Sequence, residues 1–179
     1  MSVFSAIFLP GLFLIASGAS LLSGNPLVQT TLKAMPRSPV AAALFWGAGA
    51  LWFLCVVGGL SQADLLVFET PAPWFAIYAA IAAAAFYFLP DFLAIRGLCV
   101  LTLLVAWQIL MGLFGEFGGT LAVKALVYVA IGLAIYLGCA PYRARDFIQW
   151  LFTRAQRART LGALLLACGL LFVGIAFWH

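Results

Sequence analysis

Apolar residues in this chain do not alternate with polar ones; they come in long uninterrupted runs. Six runs stand out, at roughly 3–24, 39–60, 73–90, 97–115, 120–140 and 160–178. About 20 apolar residues in a helix cross the hydrocarbon core of a bilayer, so each run is read as a candidate span. The breaks between them carry helix punctuation. Asn25-Pro26 stops the first run, and Ser38-Pro39 supplies an N-cap followed by proline at the first helical position. Thr70-Pro71 repeats that device, and Pro90 and Pro141 close the third and fifth runs. Gly118-Gly119-Thr120 reads as a tight turn with a cap, and Pro10 is a kink that lipid tolerates.

One break has a helical period of its own. At about 100° per residue, Phe147, Ile148, Leu151, Phe152, Ala155 and Ala158 share one arc, with Asp146, Gln149, Thr153, Gln156 and Arg157 opposite. Trp150 and Arg154 sit on a flank. The pattern predicts a cytoplasmic amphipathic helix over 144–158, lying in the headgroup plane with its aromatics sunk into the boundary.

Within the runs, small residues recur every four positions: Ala16, Ser20 and Gly24; Ala76, Ala80 and Ala84; Ala130, Ala134 and Gly138. Small residues let helix backbones approach in lipid, so these rows are expected packing faces, within the subunit or between copies. An echo at an offset of 50 matches Tyr78, Ala80, Ile81 and Ala84 with Tyr128, Ala130, Ile131 and Ala134. A duplicated two-helix unit and a chance match in apolar sequence both account for it.

Composition agrees with the runs. The chain is 66% hydrophobic and 8% charged, against about half and about a quarter for soluble domains. A soluble fold of 179 residues has no room to hide so much apolar surface. The expected fold is all-α: one polytopic transmembrane domain over residues 1–179, with six spans and one interfacial helix.

The formal charge is +4, and its distribution decides what it means. Lys33 and Arg37 lie in the first break, and Asp64 and Glu69 in the second. Asp91 and Arg96 lie in the third, and Glu116 alone in the fourth. Arg143, Arg145, Arg154, Arg157 and Arg159, with Asp146, lie in the fifth. Bases therefore alternate between present and absent from break to break. Orientation follows the Lys/Arg bias of short loops, which predicts a multi-pass membrane protein with both termini outside the cytoplasm. Nucleic-acid binding is not expected, because membrane proximity explains the charge and no recognition motif accompanies it. No base precedes the first apolar run, so that run reads as a retained helix; the small residues of "IASGAS" leave cleavage as the alternative.

Candidate chemistry is sparse. Gln108, placed near the middle of the fourth run, and Lys124, one turn into the fifth, are the polar groups at depth. They are expected to hydrogen-bond a neighbouring helix and to snorkel to the outer interface, or else to line a transport pathway. His179 is the single histidine, and neither a Ser-His-Asp set nor a carboxylate pair is found. Cys55, Cys99, Cys139 and Cys168 contain no C-x-x-C and read as small apolar residues. "GEFGGT" (115–120) has no preceding strand to make it a phosphate loop. Of the six tryptophans, Trp74, Trp150 and Trp178 suit interface belts, while Trp46, Trp52 and Trp107 lie deeper. No cofactor, metal site or enzymatic activity is expected.

"LPDFLAIRGL" (89–98) and "PYRARDFIQWLF" (141–152) resemble segments of small polytopic bacterial inner-membrane proteins of unassigned function. That resemblance implies location and brings no activity with it. The helix count is also similar to that of substrate-binding subunits of energy-coupling vitamin transporters, although none of their ligand contacts maps onto this chain. The leading functional expectation is a non-catalytic membrane subunit or scaffold acting through helix packing and a basic cytoplasmic collar. Arg143, Arg145, Arg154, Arg157, Arg159 and Trp150 would contact anionic lipid, a second copy or another membrane protein. The alternative is a small-solute transporter or binding subunit with a cavity at Gln108.

Overall fold

The computed structural model describes residues 2–61 and 70–178. The loop acids Asp64 and Glu69, and His179, lie outside the described residues. The described residues form eight α-helices: α1 (Val3–Leu22), α2 (Pro26–Ala34), α3 (Pro39–Gly58), α4 (Ala72–Phe88), α5 (Leu93–Gly112), α6 (Thr120–Cys139), α7 (Pro141–Leu151) and α8 (Ala155–Trp178). A 3-10 turn at Met35–Arg37 joins α2 to α3. No strand occurs among the described residues. Five helices, α1, α3, α5, α6 and α8, are long and apolar enough to cross a membrane; α4 is apolar but has only 17 residues.

Contacts fix the direction of each helix. Gly11 meets Gly169 and Gly18 meets Gly162, so α1 and α8 run antiparallel. The Trp46 indole Nε1 donates to the Ala82 carbonyl at 3.0 Å, and Phe53 packs edge-on against Tyr78 at 5.1 Å, so α3 and α4 are antiparallel. Gly97 meets Trp46 while Gly49 meets Val100, so α3 and α5 run parallel. Gly138 faces Cys99, and α6 returns beside α5. The ends of the helices therefore sort into two sets. One holds residue 2, residue 178 and the 113–119 turn. The other holds α2, the 3-10 turn, the 89–92 turn and α7.

Close backbone approach holds the first and last helices together. A Cβ added at Gly18 would lie 2.6 Å from the Gly162 carbonyl oxygen, and one at Gly169 would lie 2.7 Å from that of Gly11. Each helix has its pair of glycines seven residues apart, the spacing that keeps one seam facing a partner. The tightest crossing is α3 on α5. A Cβ on Gly97 would overlap the Trp46 backbone nitrogen and lie 2.6 Å from the Phe45 carbonyl carbon.

Apolar clusters complete the packing. At the end holding the termini, Ala6 and Ile7 of α1 meet Ala106, Ile109 and Leu113, Val123 and Val127 of α6, and Phe172 and Ala176 of α8. Toward the other end, Ala42 and Ala85 pack with Leu93 and Ala94, and Ile95, Cys99 and Ala134 pack with Ala144 of α7. Thr120 is fully buried, and its Oγ1 has no hydrogen-bond partner among the described residues.

Several predicted boundaries need correction. Asn25-Pro26 does more than stop α1: the Asn25 side chain accepts from the Leu27 amide at 2.9 Å and caps a helix that had been read as loop. Thr70 is not the cap of α4, whose flanking residue is Pro71 with no side-chain cap. The fourth predicted span, now α5, begins at Leu93 rather than 97, because Phe92 takes a left-handed backbone (φ 58°) and starts the helix directly. The amphipathic helix after Ala140 occupies 141–151 rather than 144–158, and residues from Ala155 onward belong to α8. A 24-residue helix is about 36 Å long, roughly one turn more than the ~30 Å hydrocarbon core. Its first five residues include Arg157 and Arg159.

The Gly97 crossing predicts a contrast between two equally small changes. Gly97→Ala should lower stability in bicelles by about 1–3 kcal/mol or more, the usual cost of overpacking. Gly132 has nothing within 4 Å of an added Cβ, so Gly132→Ala should leave stability unchanged or raise it by up to about 1 kcal/mol. Reversible denaturant unfolding of the two variants beside the parent checks this.

Candidate functional site

The distinctive chemistry lies at the end of the bundle that holds α2 and α7. Lys33, Arg37, Arg96, Arg143, Arg145, Arg154, Arg157 and Arg159 gather there, eight of the nine bases, facing only Asp91 and Asp146. Four structural pieces bring them together. Lys33 lies in the last turn of α2, where a cation suits the helix C-terminus. Arg37 closes the 3-10 turn, whose Pro36 is buried. Arg96 is in the first turn of α5, and the remaining five flank the α7–α8 bend.

Aromatic rings hold many of these cations. Arg37 and Arg145 approach the same ring, that of Phe92, at 5.8 and 5.9 Å. Lys33 lies 5.7 Å from the Phe152 ring. Arg157 sits 4.4 Å over Trp150 and donates from Nη1 to the Trp150 carbonyl at 3.1 Å. The only ion pair among the described residues joins Arg145 to Asp146 at 2.7 Å. Arg143 is exposed, and the neighbouring Tyr142 hydroxyl raises its guanidinium above the ordinary arginine value. Phe92 adopts its left-handed backbone as a non-glycine residue, at a cost of roughly 1–2 kcal/mol.

The bend after α7 follows from this chemistry. No glycine or proline marks it. The helix leaves its path at Phe152, and the Arg157 guanidinium joins the Thr153 amide in donating to the Trp150 carbonyl. Thr153 Oγ1 returns a hydrogen bond to the Gln149 carbonyl at 3.0 Å. Leu151 and Ala158 are both buried on either side of the bend. Phe147 and Trp150 stack with centroids 5.9 Å apart and remain about half exposed. Arg154 and Arg159 are exposed.

The other candidate residues are dispersed. Gln108 sits four positions before the end of α5 rather than near the middle of its span, because α5 begins earlier than its sequence suggested. It is partly buried. The Lys124 ammonium reaches the Glu116 carbonyl at 2.6 Å and lies 5.6 Å from the Phe117 ring, at the end opposite the arginines. An apolar cleft of about 380 Å³ lies between α3, α4 and α5, lined by Trp46, Phe53, Tyr78, Ile81, Val100 and Leu104; neither Gln108 nor Lys124 lines it.

The small-residue rows also separate. Ala134 is buried against α5 and Gly138 faces Cys99, with Ala130 partly buried. Ala76 and Ala80 are exposed on α4 and Ala84 is half-buried. Ala16 is exposed, Ser20 is half-buried, and Gly24 lies beyond the helix. Within the subunit α1 packs through Gly11 and Gly18 instead. That seam was readable in the chain at a spacing of seven, but a search at four passes over it. Lys33, Arg37 and Phe92 were visible as residues; what brings them beside α7 is a set of turns with no sequence signature of their own.

Removing the Arg157 contact should loosen the bend. Arg157→Ala is expected to raise hydrogen–deuterium exchange across residues 148–154 while leaving the Gly18–Gly162 region protected, as read by exchange mass spectrometry on the protein in lipid nanodiscs. Compared with known proteins, the chain matches no family model, no curated protein and no solved structure.

Proposed function

We propose that this chain is a non-catalytic subunit of the bacterial inner membrane. It crosses six times with both termini outside, and it presents its basic end at the cytoplasmic face as a collar for membrane lipid and a membrane-protein partner. The observation that carries the reading is the sorting of bases: eight at one end of the helices and Lys124 at the other. Short-loop Lys/Arg bias points such an end to the cytoplasm. α4 supplies the sixth crossing. Its 17 residues reach about 25 Å, a few ångströms under the hydrocarbon thickness, which local thinning accommodates at modest cost.

Two features support a role in packing rather than chemistry. The side chains that meet between α1, α5, α6 and α8 are alanine, isoleucine, leucine, valine and phenylalanine. Large apolar side chains such as Phe13, Phe75, Leu133, Leu164 and Leu171 point away from the bundle, as lipid or a membrane partner requires. A second copy of the chain is the simplest such partner, since oligomers of one chain are the common case.

Two measurements test this. In a variant without native cysteines, Thr30→Cys should react with an impermeant thiol reagent only from the cytoplasmic side, and Ser2→Cys only from the other. Labelling of both from one side would remove the proposed threading. Extraction in mild detergent should bring out a stoichiometric membrane partner or a defined oligomer. A lone monomer carrying a bound solute would instead support the transport alternative centred on Gln108.

A further inference from the structure

The eight bases at the α2/α7 end are not equivalent. Arg37 and Arg145 come from different elements, the 3-10 turn and α7, yet both guanidinium carbons lie within 6 Å of the single Phe92 ring. Arg37 is exposed and has no carboxylate partner among the described residues. Arg145 spends Nε and Nη2 on one oxygen of Asp146, at 2.9 and 2.7 Å. Phe92 stands in the turn that starts α5, with a left-handed backbone and a partly buried side chain. Arg154 and Arg159 carry the same charge but are exposed and held by no ring or carboxylate among the described residues.

From this geometry we infer that Arg37, Phe92 and Arg145 form a discrete headgroup site for one anionic glycerophospholipid, with its phosphodiester shared between the two guanidinia. The inference rests on the proposed placement of this end at a leaflet surface and narrows the collar to a particular site. Three lines of chemistry converge on phosphate. Guanidinium is planar, weakly hydrated and forked, and it matches phosphate oxygens two at a time. Ring contact restrains the rotation that an arginine would otherwise lose on binding, and the N–H groups of Arg37 have no carboxylate to release among the described residues. The charge balance at this end, eight bases against Asp91 and Asp146, favours an anion over a zwitterion. The exposed Phe147–Trp150 stack on α7 gives the adjoining surface the aromatic character of the headgroup–acyl boundary, which favours a lipid over a soluble phosphate. Asp146 is the competing anion and takes one edge of Arg145; Arg37 is the arm with nothing to release.

A diffuse collar and a discrete site differ in one respect. In a collar, every exposed arginine near the surface counts about equally. The full-length protein in mild detergent is titrated with phosphatidylglycerol and, separately, with phosphatidylcholine of the same acyl chains, and bound lipid is counted by native mass spectrometry. The expected result is one tightly held phosphatidylglycerol that phosphatidylcholine does not replace. R37Q/R145Q should weaken it by about tenfold or more, and R154Q/R159Q, which removes the same charge, by less than about threefold. R37K/R145K keeps the charge without the fork and should recover only part of the loss, which a purely structural role would not produce. Phe92→Leu keeps the apolar bulk and should cost roughly threefold.

Equal losses in the two glutamine pairs would overturn the discrete site while leaving the collar standing. Equal binding of the two lipids would overturn both the site and the anionic preference. Displacement of the phosphatidylglycerol by millimolar inorganic phosphate would overturn the assignment to lipid. None of these readings depends on which face of the membrane the end occupies, so a failure of the proposed threading is registered separately by the thiol labelling.

Discussion

The structure depends on how near two backbones can come. In lipid, burying one apolar side chain against another yields little, because acyl chains solvate it equally well. What remains is dense packing, and density requires close approach. This chain reaches it at five glycines: Gly97 against Phe45 and Trp46, and Gly11 and Gly18 against Gly169 and Gly162. The first seam joins parallel helices α3 and α5 in the middle of the sequence. The second closes the first helix on the last. Among the described residues α4 leans chiefly on α3, and the Trp46 indole bond to Ala82 supplies one polar contact. Interhelical hydrogen bonds in membranes contribute about 0.6–2 kcal/mol.

Much of this fold was legible because its strongest determinant is the length of apolar runs. The five long helices coincide with five of the predicted runs within a few residues. Errors gather where a single residue carries two meanings. Asn25-Pro26 ends one helix and begins another, and only the Leu27 amide bond reveals the second role. Phe92 starts α5 from a left-handed conformation that sequence rules reserve for glycine and asparagine, so the helix was placed too late and Gln108 too deep. Thr120 forms no side-chain cap, and its buried hydroxyl lacks a partner among the described residues, contrary to its reading as a capping residue. The α7–α8 break has no sequence breaker, and the Arg157 side chain reaches across it to the Trp150 carbonyl.

The candidate site was legible in part. The arginines after Pro141 announced themselves by number, and their amphipathic pattern located the start of α7 to within three residues but ran seven past its end. What the linear pattern could not supply was selectivity among them. Arg37 sits more than 100 residues before Arg145 in the chain, and they share a ring only because parallel packing of α3 and α5 brings the starts of both helices to one end. Glycine seams therefore do more than stabilise: they set the register that gathers the cations. Each basic side chain near an anionic surface is worth about 1 kcal/mol, and under the proposed threading the gathered end outweighs Lys124. Lys124 in turn keeps its ammonium at the opposite end by donating to the Glu116 carbonyl.

The pairing of α1 with α8 is the boldest feature of this arrangement, since it brings residues 4 and 177 together from the two ends of the sequence. Their rings lie 5.6 Å apart, edge to face. The most direct measurement is intramolecular cross-linking of Phe4→Cys with Phe177→Cys by a short thiol-reactive linker. It is made in membranes, on a chain whose Cys55, Cys99, Cys139 and Cys168 have been replaced. The fold requires rapid cross-linking within one chain, lost when Gly18 or Gly162 is enlarged to leucine. Cross-links found only between chains, or none while both thiols still react with single reagents, would contradict it.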